Sequence, residues 1–149
     1  MAFNLIVEAF PERGDIPKPY TCEGEDKAPA LSWDGEPPGT KSFAIIVDDP
    51  DAPSGTFTHW LQYDIPASVH SLPEKGNAGL SGMNDFGSRG YNGPCPPKGH
   101  GPHRYFFKIF ALDVPSLGLP AGAKRADVDR SLRKSVLAEA RHTGRYERR

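Results

Sequence analysis

The sequence predicts a mainly β fold: an antiparallel core with few peripheral helices, one of them near the C-terminus. Three observations point there. Glycine and proline number 16 each in 149 residues. They lie between short hydrophobic runs rather than in one low-complexity block, which is the punctuation of many tight turns. Several of those runs have the length and the β-branched or aromatic content of strands. Helical periodicity is convincing in one place only, where Val128, Leu132, Val136 and Ala140 fall four apart on one face.

The elements follow in order. Phe3 to Phe10 alternates loosely and reads as a first strand. Ile16 to Gly24 is rich in turns, and Leu31-Ser32-Trp33 is a short strand closed by Pro37-Pro38-Gly39. Ser42 to Asp49 is the clearest strand. Its continuous apolar run predicts burial on both faces, and it stops at Pro50 and Pro53 because proline brings no N–H to a ladder. Thr58 to Ile65 is another strand, stopped by Pro66. Residues 66–102 are dense in glycine and proline and carry no long period, and a stretch of this kind in a compact domain is usually functional. It ends at a strong strand, Arg104 to Leu112, with Tyr105, Phe107, Ile109 and Ala111 on one face and Phe106, Lys108 and Phe110 on the other. The helix is expected to start at a cap from Asp127 and to end at Gly144. No repeat or linker interrupts the chain, so residues 1–149 read as a single domain.

Composition narrows the function. A net charge of -1 gives the whole molecule no strong pull on nucleic acid. The charge is uneven, however: residues 121–149 hold nine Lys or Arg against four Asp or Glu, and the remainder is acidic. A solvated helix face is the expected reading of this basic end, with contact to an acidic partner or a phosphate surface as the alternative. Mean hydropathy is -0.55, and no run approaches the roughly 20 apolar residues of a spanning helix. The N-terminus lacks a basic segment followed by an apolar one, so no signal peptide is read and a cytoplasmic location is expected. Cys22 and Cys95 are too few for a disulfide framework or a structural zinc site. In the cytosol they are expected mostly as free thiols, with a redox-sensitive pair as the alternative if the fold brings them together.

Two polar clusters sit at strand ends. The first is Asp48-Asp49-Pro50-Asp51-Ala52-Pro53-Ser54, followed by Phe57-Thr58-His59-Trp60. Three acids within four positions cannot all bury unpaired. The ten residues from Asp49 to His59 let the chain turn back, and an aspartate near His59 would favour its charged form. The second runs from Gly90 through Tyr91-Asn92-Gly93-Pro94-Cys95-Pro96-Pro97-Lys98-Gly99-His100-Gly101-Pro102 to His103-Arg104-Tyr105. Its glycines allow backbone N–H groups to point at an anion, and His103 is rigid because the loop becomes a strand there. Asp48 and Asp51 read as turn-capping acids, His100 as solvent-exposed, His70 and His142 as surface, and Trp33 and Trp60 as core.

Asp49-Pro50-Asp51-Ala52-Pro53-Ser54, Thr58-His59-Trp60, Gly93-Pro94-Cys95-Pro96-Pro97 and His103-Arg104-Tyr105 resemble the phosphatidylethanolamine-binding (Raf kinase inhibitor-like) family. Tyr20-Thr21-Cys22-Glu23-Gly24, Leu31-Ser32-Trp33 and Asn84-Asp85-Phe86-Gly87 are similar to its bacterial and archaeal branch. The resemblance implies a large antiparallel sheet packed on a smaller one. It implies a pocket for phosphate, acetate or a phosphorylated head group, formed by Asp49, His59, His103 and Tyr105. Backbone groups near Gly93 and Cys95 would complete it, and Pro53, Pro96 and Pro97 would shape the rim. It also implies a cis peptide at Ala52–Pro53, a kinase or protease as partner, and a homodimer. The C-terminal end departs from that of animal members, and Tyr146 is expected to approach the site in its place. Phosphatidylethanolamine itself is then not the expected natural ligand.

The expected function is therefore binding of a small anion, with Asp49 orienting and charging His59, and no catalysis. The alternative is a hydrolase of small phosphoester or acyl substrates. Against it, Gly79-Leu80-Ser81-Gly82-Met83 misses the nucleophile-elbow pattern. No metal or cofactor is expected, because the His-x-x-His of His100 and His103 spans Gly101-Pro102 and cannot lie on a helix.

Overall fold

The computed structural model describes residues 2–76 and 78–149. Among the described residues nine strands form two sheets. The smaller sheet orders β1 (Asn4–Val7), β3 (Leu31–Asp34) and β6 (Ser71–Leu72) as β1-β3-β6. The larger contains β2 (Gly14–Asp15), β4 (Ser42–Asp49), β5 (Phe57–Pro66), β7 (Leu80–Ser81), β8 (His103–Leu112) and β9 (Val136–Tyr146), in the order β2-β9-β8-β4-β5-β7. All neighbours are antiparallel except β2 and β9, which run parallel at one edge. One α-helix, α1 (Arg125–Arg133), precedes β9, and a short 3-10 turn spans Lys18–Tyr20.

The run Ser42–Asp49 is buried at all eight positions, because β4 lies between β5 and β8 and both its faces are covered. Phe43, Ile45 and Val47 point to the smaller sheet. There they join Leu5, Val7, Leu31 and Trp33, together with Tyr105, Phe107, Ile109 and Ala111 of β8. Ala44 and Ile46 point the other way and pack with Leu61, Tyr63 and Leu112 beneath Val128 and Leu132 of α1. Two cores thus share one central strand, and the predicted inner face of β8 is the observed one.

The C-terminal segment corrects the expected helix. The helix ends at Arg133, Lys124 rather than Asp127 stands at its N-cap position, and Val136 begins an eleven-residue strand. A four-residue spacing satisfies both a helix face and a strand face, since four is two strand periods. Val136 and Ala140 therefore fit either reading. Beyond Ala140 the strand alternation is plain: Ala140, His142 and Gly144 are buried, while Glu139, Arg141 and Arg145 are exposed. Gly144 does not end a helix. A Cβ there would stand 2.6 Å from Ile16 and Phe10 side-chain atoms, so this position packs only as glycine. His142, expected at the surface, is buried by the same alternation and hydrogen-bonds the Phe10 carbonyl through Nε2 at 2.9 Å.

Two local expectations also change. Cys22 and Cys95 are joined as a disulfide with Cα atoms 5.4 Å apart, because the segment after the 3-10 turn docks on the Gly93–Pro96 stretch. The Cys22 N–H donates to the Pro94 carbonyl at 3.1 Å, and the Tyr91 hydroxyl donates to the Tyr20 carbonyl at 2.7 Å. No peptide bond among the described residues is cis, so Ala52–Pro53 is trans. The Gly55 N–H donates to the Ala52 carbonyl at 3.1 Å. Pro53 is thereby the second residue of a turn, a place that trans-proline fills without strain.

Candidate functional site

The ends of β4, β5 and β8 meet at one cavity of about 250 Å³. β4 delivers Asp49, β5 delivers His59, and β8 delivers His103 and Tyr105. A β-bulge aims His59. In the β4–β5 ladder Val47 pairs with Trp60 and Asp48 with Thr58, so His59 is the extra residue. The extra position lets His59 face the cavity beside a core-facing Trp60, while Thr58 points away. The turn after β4 adds Ala52, Pro53 and Ser54, and the long loop before β8 adds Phe86, Cys95, Pro96 and Pro97.

The polar groups form a short chain. One Asp49 carboxylate oxygen accepts a hydrogen bond from Nδ1 of His103 at 2.7 Å, and the other accepts the Asp51 N–H at 2.8 Å. Both Asp49 and His103 are buried. Nε2 of His103 lies 2.7 Å from Nδ1 of His100, an exposed loop residue. His59 stands apart from this chain: its Nδ1 donates to the Asn92 carbonyl at 2.7 Å. Nε2 is thereby left as the unengaged nitrogen of a buried ring.

Burial pushes the pKa of His59 below its ordinary value, and it outweighs the Asn92 carbonyl and the Asp49 charge, which act upward. The expectation that Asp49 charges His59 is corrected in two ways. The carboxylate is spent on His103, and desolvation dominates at His59. Tyr105 lies between the two imidazoles, with ring centroids 5.3 Å from His59 and 6.5 Å from His103. Its hydroxyl is buried and turned to the Asp49 carboxylate. Burial and the facing Asp49 carboxylate hold its pKa well above the ordinary tyrosine value.

A family model described as phosphatidylethanolamine-binding protein matches residues 7–147. The chain belongs to the phosphatidylethanolamine-binding protein family. Relatives and solved structures agree. A UPF0098 protein of Aquifex aeolicus is 53% identical over 97% of this chain and 88% of its own length. The crystal structure of Escherichia coli YbcL, titled a new member of the mammalian family, superposes with a TM-score of 0.94 at 34% identity, covering all of both chains. A Mycobacterium tuberculosis protein whose name presents it as a lipoprotein, LppC, is 35% identical over 93% of this chain and 69% of its own length.

In this phosphatidylethanolamine-binding family member the structure gathers Asp49, His59, His103, Tyr105, Pro53, Cys95 and Pro96 around one cavity. Gly93 is not among them. Its N–H donates to an Asp26 carboxylate oxygen at 2.8 Å, and a Cβ there would meet the Tyr20 carbonyl oxygen at 2.0 Å. Other loop amides are spent inside the protein as well, Asn92 on the His59 carbonyl, Gly99 on that of Arg148 and His100 on that of Pro97. The expected amide cradle therefore does not open from Gly93, which packs against Tyr20, while Gly99 serves a turn with positive φ. Tyr146 does not line the cavity; its hydroxyl bonds Glu23. Asp48 and Asp51 also point elsewhere, to Arg125 and Lys108 and to Arg104 respectively.

Sequence reasoning missed the aromatic side of the site. Phe57 and Phe86 flank His59, with centroids at 5.1 and 5.4 Å, and touch each other at 4.8 Å. Phe86 is still 46% exposed. The signal was Asn84-Asp85-Phe86-Gly87, a turn motif that carries a large apolar residue with no strand to bury it. Among the described residues no group of three His, Cys, Asp or Glu side chains is placed to hold a metal ion, and no helix is long and apolar enough to cross a membrane.

Proposed function

We propose that this protein binds a small anion, a phosphate or a phosphorylated head group, in the cavity of His59, His103 and Tyr105, and releases it unchanged. The observation that carries this reading is the unengaged Nε2 of His59, held in the same cavity wall as the Tyr105 side chain. His103 belongs to the same wall, and its Nε2 is covered by His100. An anion there either displaces His100 or recruits it as a third imidazole. Asp49 fixes the tautomer of His103 and stays behind it, where its own charge repels the anion least.

The hydrolase reading has Asp49 behind His103 and Ser54 in the cavity wall. It lacks the contact that would activate a serine, because His103 offers its outer nitrogen to His100. Calorimetric titration with phosphate and phosphoethanolamine tests the binding reading. Wild type should bind, and His59→Ala and Tyr105→Phe should each weaken binding by about tenfold or more, as expected for loss of a charge-assisted or buried hydrogen bond. Equal affinity in all three proteins would sink the proposal. Turnover of p-nitrophenyl phosphate or acetate that disappears in His59→Ala would favour the hydrolase.

A second reading, modulation of a kinase or protease partner, is favoured by Phe86, a large apolar side chain left exposed at the cavity mouth. Capture of such a partner should be lost with Phe86→Ala. Location follows from the disulfide. Pairs such as Cys22–Cys95 persist in oxidising compartments or in the disulfide-rich cytosol of hyperthermophiles, so a cytoplasmic location requires a cytosol of that second kind. Thiol trapping in the source cells checks it.

A further inference from the structure

A second concavity, of about 380 Å³, lies on the opposite face of the large sheet and shares no lining residue with the histidine cavity. Arg104 and Phe106 of β8, Arg141, Thr143 and Arg145 of β9, and Arg13 from the turn before β2 line it. The strand register makes it unusual. Arg104 stands directly opposite Arg145, and Lys108 directly opposite Arg141, with Phe106 and Thr143 between them. Like charges directly across a ladder destabilise a sheet, so this arrangement works against the fold.

Carboxylates compensate only part of the charge. Asp51 holds Arg104 at 2.8 Å, Asp15 holds Arg145 at 2.7 Å and Asp48 holds Lys108 at 3.0 Å. Glu12, at the rim, accepts the Thr143 N–H at 3.2 Å and lies 3.8 Å from Nδ1 of His142. Arg13 and Arg141 are in no ion pair among the described residues. Arg141 is not loose, because its guanidinium lies 4.3 Å from the Phe106 ring centroid, where Arg104 also sits at 5.4 Å. Stacking on an aromatic ring fixes the plane of a guanidinium and leaves its N–H fork outward. Arg13 is held by its backbone N–H, which donates to the Thr143 carbonyl.

We propose that this groove is a second anion site that takes a small molecule carrying adjacent phosphates, with inorganic diphosphate as its simplest form. Arg13 and Arg141 supply the two unspent positive charges, and the Nη atoms of Arg104 and Arg145 not used by their aspartates supply further donors. Planar guanidinium forks match phosphate oxygens two at a time. The volume suits a small molecule rather than a single ion, and a concave wall favours a free ligand over a head group held in a flat membrane.

The test is calorimetric titration of the full chain with sodium diphosphate at constant pH and ionic strength, in a His59→Ala background that weakens the contribution of the histidine cavity to the readout. Diphosphate should still bind. Adding Arg13→Gln and Arg141→Gln should weaken it at least about tenfold, and the affinity of the parent should fall with added salt. The melting temperature should not drop, because both substitutions are exposed and one relieves a like-charge pair. Loss of all diphosphate binding in His59→Ala, unchanged binding in the arginine variants, or flotation with phosphatidic acid vesicles in the absence of any diphosphate binding would each overturn the proposal. The first of these leaves the histidine cavity reading intact, so the two readings fail separately.

Discussion

Asp49 and Asp51 stand two positions apart and face different partners. Asp49 turns inward to His103, whereas Asp51 turns outward to Arg104 and is held down to a pKa of about 2 by that guanidinium. Two positions further along β8 from each partner the division repeats, with Tyr105 inward and Phe106 outward. On the proposed reading, His59 is the residue at which protonation and binding are linked. Burial lowers its pKa in the free protein, so the folded ring resists a proton that the unfolded ring accepts below about 6.5. The unfolded state then binds more protons, and the stability owed to neutral His59 is present above about pH 6.5 and lost as the pH falls below it. A bound anion reverses this preference by favouring the imidazolium. Phosphate affinity should therefore rise as pH falls through and below neutrality, by at most about tenfold per pH unit for one linked proton. Titrations across mildly acid to mildly alkaline pH should show this slope in wild type and lose it in His59→Gln. A pH-independent wild-type affinity would remove histidine charge from the reading.

At the scale of elements, the central strands were legible because their chemistry allows one answer. Eight continuous buried residues in Ser42–Asp49 and the alternation from Tyr105 to Ala111 leave no helical alternative, and both strands deliver site residues from their ends. The helix was half legible. Val128 and Leu132 do face the second core, but the same four-residue spacing continued into a strand, and only the polar alternation after Ala140 could have shown the change. The loop before β8 was least legible. The sequence shows that it is rigid and rich in glycine, yet whether a glycine opens on a ligand or admits a neighbouring carbonyl, as Gly93 does, depends on what packs against it. The anchoring of α1 was also hidden. Asp48, 2% exposed, accepts from Arg125 of the helix at 2.5 and 3.1 Å and pairs with Lys108 at 3.0 Å. Arg125 also donates to the Thr58 hydroxyl at 2.9 Å. Arg125→Met removes the stronger partner of a buried carboxylate and should cost about 3 kcal/mol, with Lys108 left to limit the loss. Urea unfolding at neutral pH measures it. A midpoint equal to that of wild type would mean that Lys108 alone satisfies Asp48.

For the molecule as a whole, the question is what the Cys22–Cys95 bond contributes beyond the contacts around it. It closes a loop across 73 positions of sequence, and a cross-link of that span removes enough freedom from the unfolded chain to stabilise the fold by about 4 kcal/mol in the chain-entropy account. The loop does not depend on the bond for its place. Asp26 grips the Gly93 N–H at 2.8 Å and the Asn92 side chain at 3.1 Å, Tyr91 reaches the Tyr20 carbonyl, and Cys22 meets the Pro94 carbonyl through its own amide. These contacts position Asn92, and through its carbonyl His59, without the sulfurs. Stability and site geometry should therefore separate. In the Cys22→Ser, Cys95→Ser double variant the unfolding free energy should drop by about 4 kcal/mol, while phosphate affinity at a temperature well below the transition stays within about twofold of wild type, less than half of the 1.4 kcal/mol that a tenfold change represents. If affinity falls as steeply as stability, the disulfide itself holds the cavity wall that Cys95 helps to form. Reduction in the cell would then empty the site as well as loosen the fold.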